Sequence, residues 1–153
     1  MGHAPAVHID RRPGAPRVAL IGVIVVCAVV TFALSRVLWP APAGMSGPPA
    51  GLLPWFVALG VLESMLFGLG IAFLLAGRGL VRRAGRHPAL SWATYAAIAW
   101  MLLSWWPHDN FHRVLDHDDW SGLVRIEYGF HLTLIAASII VAAYFVDTLR
   151  TLR

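Results

Sequence analysis

Three observations predict an all-α fold, specifically an integral membrane four-helix bundle with a short interfacial helix between its third and fourth spans. Hydrophobic residues make up 58% of the 153-residue chain and charged residues only 13%, where a soluble domain carries about 25% charged. Mean hydropathy is +0.68. Apolar runs near the roughly 20 residues needed to cross a hydrocarbon core recur along the chain, and helices satisfy their own backbone groups in lipid.

The elements follow in order. Residues 1–17, with His3, His8 and several Pro and Gly, are expected to form a disordered cytoplasmic tail. The single membrane domain then spans 18–150. Its first span, 18–39, is free of charge until Arg36. Residues 41–51 are Ala, Gly, Pro, Met and Ser, a connector that breaks helices. The second span, 52–76, is interrupted only by Glu63. A basic turn follows, holding Arg78, Arg82, Arg83, Arg86, His87 and Pro88. The third span, 89–106, ends in Trp105-Trp106, and the fourth, 123–146, ends near Asp147 and Arg150. A rival reading takes the first span as a secretory signal cleaved at Ala41-Pro42-Ala43. Its apolar run is longer than a usual signal core, and Pro at the site hinders cleavage.

All 12 basic residues are Arg. Arg11, Arg12, Arg17, Arg78, Arg82, Arg83, Arg86, Arg150 and Arg153 fall on one side of the expected bundle, against Arg36, Arg113 and Arg125 on the other. The positive-inside rule thus places both termini in the cytoplasm of a cell-membrane protein. A nucleic-acid partner fits poorly, because the arginines flank apolar spans rather than line one polar face. The lone Cys27 lies mid-span and has no partner for an intramolecular disulfide.

Ionisable groups at or inside a bilayer are costly, so function is sought where they gather. The segment from Pro107 to Trp120 holds His108, His112 and His117 with Asp109, Asp116, Asp118 and Asp119, and the fourth span adds Glu127 and His131. Pro107 suits the first turn of a helix and Asp109 its positive end, which predicts a short surface helix over 107–116. His108 and His112, four apart, share one face of it. Asp118 or Asp119 then caps the fourth span. Glu127 and His131 are also four apart and stack. His131 lies roughly 11 Å below the outer end and Glu63 roughly 16 Å, close to the midplane, at 1.5 Å per residue. The expected partner of Glu63 is His131. In the second span, Gly60, Ser64 and Gly68 form a small-residue stripe that lets a neighbouring helix approach.

The resulting expectation is a transition-metal site near the outer face, with His108, His112, His131, Glu127 and Glu63 as candidate ligands and Asp109, His117, Tyr128 and Ser104 around them. Imidazole with carboxylate suits Zn, Cu or Fe. Haem fits less well, since the other spans have no midplane His to face His131. Two alternatives stand beside it. One is a proton-coupled carrier module using Glu63, Glu127 and His131. The other is an accessory or scaffold subunit that docks a partner through its acidic outer loop, where residues 107–127 carry net charge −3. The plainer reading of the buried pair is an interhelical bond that fixes register, worth about 0.6 kcal/mol; that of the outer segment is a solvated loop. The partners expected are the lipid bilayer and a homo-oligomer or larger membrane complex. No specific catalytic motif is present.

Overall fold

The computed structural model describes residues 15–44, 46–115 and 118–150. The expected disordered tail, His3 and His8 within it, and the outer-segment residues Asp116 and His117 lie outside the described residues. Within them the fold is all-α: α1 (Ala15–Leu38), α2 (Leu53–Ala84), α3 (Pro88–Leu103), α4 (Trp105–Val114), α5 (Trp120–Glu127), a π-helical turn (Tyr128–Leu132) and α6 (Thr133–Arg150). Three helices are long and apolar enough to cross a membrane, Arg17–Leu38, Leu53–Ala84 and the continuous Trp120–Arg150.

Several boundaries differ from expectation for physical reasons. The basic turn expected after residue 76 is helical as far as Ala84. Arginine is a good helix former, and cations in a last turn complement the helix dipole. The helix stops only at Gly85, ahead of Pro88. The third apolar helix stops at Leu103 after 16 residues, roughly 24 Å of rise against a core of about 30 Å. Pro107 has no N–H to bond the Leu103 carbonyl, so the chain breaks there and restarts as α4. That surface helix therefore begins two residues earlier than expected, still with Pro107 in its first turn. The last long apolar helix, expected from residue 123, starts at Trp120 because Asp119 caps it: Asp119 Oδ1 accepts from Gly122 N at 2.8 Å.

The helices pack as a row, α1 on α2, α2 on α3, and α3 on α6, with α4 laid against α2, α3 and α5. Their contacts are made by small residues. Ala72, Ala97, Ala99, Ala137, Ser64, Ser91, Thr94 and Ser104 are buried, whereas Val18, Leu75, Leu80, Ile139 and Phe145 are exposed. Lipid is as apolar as Leu, so membrane helices gain from close backbone approach rather than from hiding large side chains. The expected stripe on α2 does this. Ser64 is buried, and a side chain on Gly68 would collide with the backbone carbonyl of Ile24 in α1. Tyrosines tie the row together at its arginine-rich end: Tyr95 OH donates to Leu74 O at 2.5 Å and Tyr144 OH to Val81 O at 2.7 Å.

Candidate functional site

Helix α4 carries two polar faces, and each meets a different helix. Helical spacing puts His108 and His112 on one face. Their Nε2 atoms lie 3.1 Å apart, and His112 Nε2 lies 3.4 Å from Glu127 Oε1 at the end of α5. The other oxygen of Glu127, Oε2, lies 2.5 Å from His131 Nδ1 in the π-helical turn. The His108 ring also stands 5.1 Å from that of His131 and 5.0 Å from Phe130, centre to centre. Three imidazoles and one carboxylate from three consecutive elements thus meet at one place, half-buried, with Phe130 as an apolar wall. Trp100 stacks on Phe130 at 5.8 Å and donates to Thr133 Oγ1 at 3.0 Å, which fixes that wall to α3.

The opposite side of α4 faces α2. Arg113 is held in an ion pair with Asp109, Nη2 to Oδ2 at 2.5 Å, and donates from Nη1 to Asn110 Oδ1 at 3.0 Å. Asn110 is buried and donates to Trp106 O at 2.7 Å. Glu63, buried in α2, has Asp109 and Arg113 as its charged neighbours. The candidate ligands therefore divide. His108, His112, Glu127 and His131 come together, while Glu63 belongs to the Asp109–Arg113 network behind α4. His131 pairs with Glu127 four residues before it rather than with Glu63, because Asp109 and Arg113 reach Glu63 from the helix that lies across α2. Of the surrounding residues, Tyr128 is exposed and Ser104 is fully buried with no hydrogen bond to its hydroxyl oxygen.

Two braces hold α4 in position. Trp106 Nε1 donates to Ser35 Oγ of α1 at 2.8 Å, and Trp39 packs edge-on against Trp106 and Phe111 at 4.8 and 6.0 Å. The π-helical turn sits between Glu127 and Thr133, where backbone hydrogen bonds reach five residues back instead of four; such turns recur at functional sites. Neither the turn nor the aromatic wall was anticipated from the sequence. The network residues Arg113 and Asn110 were also missed, although Asp109 and Arg113 stand at the i,i+4 spacing that favours a pair.

Among the described residues, no group of three or more His, Cys, Asp or Glu side chains is arranged to hold a metal ion as it stands. The donors contact one another instead, and Glu127 is engaged by His131. The electrostatics follow from this crowding. Burial, then His112 and His131, push His108 below the ordinary histidine value of 6.5, against the opposing pull of Glu127 and Asp109. The folded chain then binds this proton less tightly than the unfolded chain. Between the lowered value and 6.5 the unfolded state holds more protons, so stability rises with pH through that window and falls as acid is added. Thermal unfolding in detergent should show this loss between about pH 7 and about pH 5, where histidine charge changes. His108→Asn should remove part of it, and an unchanged acid loss in that variant would count against the assignment.

Comparison with family models, curated proteins and solved structures finds no match for this chain.

Proposed function

We propose that the protein is a multi-pass protein of the cell membrane, with both termini cytoplasmic, that binds a transition-metal ion at the outer end of its helices through His108, His112, Glu127 and His131. One observation carries the reading: His112 Nε2 stands 3.1 Å from His108 Nε2 and 3.4 Å from Glu127 Oε1. Ligands bound at 2.0–2.1 Å around a tetrahedral ion are separated by roughly 3.3 Å. Two of the donor–donor separations, His112 to His108 and His112 to Glu127, are close to that value, and an ion would enter once the side chains rotate to turn their lone pairs toward a common point. His131 Nδ1 bonded to Glu127 is the kind of carboxylate–histidine contact that orients a ligand from behind; release of that contact would make His131 a fourth ligand. The donor chemistry fits Zn²⁺, Cu²⁺ or Fe²⁺.

The test is metal analysis of the purified protein together with thermal unfolding in detergent, with and without added Zn²⁺ or Cu²⁺. Binding to the folded state alone raises stability by about 2.7 kcal/mol at 100-fold excess over Kd, which is readily measured. Protein that carries no metal and gains no stability from either ion rejects the proposal.

A second reading has its own observation. Glu63 is buried in the first half of α2 with Asp109 and Arg113 as its charged neighbours, an arrangement suited to proton movement through a membrane domain. In that reading Asp109 joins Glu63, Glu127 and His131 in a proton-coupled carrier. Glu63→Gln would then abolish pH-driven uptake in liposomes, and unchanged uptake rejects it.

A further inference from the structure

The arginine-rich end of α2 presents a second polar feature, at the opposite end of the helices from the histidines. Arg78, Gly79, Arg82 and Arg83 line a surface depression of about 380 Å³. Residues 78 and 82 are one helical turn apart, as are 79 and 83, so the four form a diamond on the helix surface. Gly79 is its floor: a Cβ built there meets nothing within 4 Å, so the glycine leaves the depression open. Three arginines line the depression around this floor. Arg78 is held over the Trp92 ring, 4.3 Å from its centroid, a cation–π contact that orients the group and leaves its edge N–H groups free to donate. Among the described residues no carboxylate pairs with Arg78, Arg82 or Arg83.

Depth and apolar surroundings indicate the ligand. Helix α2 has 32 residues, roughly 48 Å of rise, which exceeds a hydrocarbon core of about 30 Å and reaches the headgroup layer. Leu75, one turn deeper on the Gly79 face, is 68% exposed, and Leu80 beside it is 67% exposed. A phosphate-bearing anion on the arginines would have an apolar track leading from it toward the membrane interior. We infer that this depression binds the headgroup of an anionic phospholipid, with phosphate over Gly79 between Arg78, Arg82 and Arg83 and an acyl chain along Leu75. Clustered arginines beside a membrane-spanning segment favour anionic lipid for the same electrostatic reason. The inference is independent of the metal site.

The experiment measures lipid retained by the full-length protein in detergent, by native mass spectrometry, with phosphatidylglycerol, phosphatidylcholine and inorganic phosphate as probes. Phosphatidylglycerol should be retained over phosphatidylcholine. The double variant R82Q/R83Q should lose roughly 5-fold in affinity for each arginine removed. Gly79→Leu, which keeps every charge and fills the floor, should lose retention as well. These positions are at the helix surface, and unchanged helicity by circular dichroism confirms that the variants fold. Equal retention of the two lipids, or undiminished phosphatidylglycerol in both variants, overturns the inference. Inorganic phosphate displacing the lipid at equal concentration overturns the lipid assignment in favour of a free anion.

Discussion

Replacing His112 by alanine is expected to abolish most metal binding, with a larger effect than any other single substitution in the cluster. His112 is the only one of the four described groups seen to touch two of the others through the same atom: its Nε2 faces both His108 Nε2 and Glu127 Oε1. Loss of a partner that merely orients a ligand costs about 10–100-fold in affinity, and loss of a shared ligand should cost at least that. His131→Ala should fall within the orienting range, since His131 contacts Glu127 through Nδ1. His87, at the other end of the protein and 3.9 Å from Asp147, serves as the control and should leave affinity unchanged. Isothermal titration with Zn²⁺ checks the order. An affinity for His112→Ala equal to that of the parent protein would show that the imidazoles meet without serving as ligands.

Gly68→Ala is expected to be the most damaging small substitution in the long apolar helices. The added methyl group would meet the Ile24 carbonyl, carbon and Cα of α1. These are backbone atoms that cannot rotate away, so the two helices must separate. Inserting a methyl group into a packed interior costs about 1–3 kcal/mol, and here the cost falls on the main contact of α1. Gly60→Ala is the matched control, because its Cβ would stand 3.5 Å from the Phe32 ring in ordinary contact. Unfolding in mixed micelles should separate the two variants, and equal stability would refute the close crossing. The effect should reach the histidines too. Ser35 of α1 and Trp39 just after it brace Trp106 and Phe111, so displacing α1 should weaken metal binding even though Gly68 touches none of the four groups.

Periodicity made much of this legible. The spacing of His108 with His112 and of Glu127 with His131 placed each pair on a face, and those pairs meet. The cap on the helix from Trp120 was readable because Asp119 precedes an apolar run. What was not legible depends on contacts between elements distant in sequence. Nothing local to Glu63 shows that Asp109 and Arg113 will lie across it, since that depends on how α4 crosses α2. Periodicity alone also gathers Glu63 with the histidines and Glu127 into one expected site. The structure separates them because a helix has two sides: residues one apart, such as His108 and Asp109, point about 100° away from each other. The break at Leu103 could have been read from Pro107, but the run of apolar residues through Trp106 masked it.

The π-helical turn at Tyr128–Leu132 carries one residue more than an α-helical path of the same rise would use. Beyond it, α6 is rotated by about 100° relative to an uninterrupted helix. Glu127 before the turn faces His112, and Thr133 and Tyr144 after it meet α3 and α2 respectively. Deleting a single residue there, such as the exposed Gly129, would leave both helical halves intact in composition while putting them out of phase. Either the carboxylate would leave the imidazoles or α6 would leave its neighbours. The turn thus acts as a phase shifter, through which one continuous helix satisfies two incompatible rotational demands.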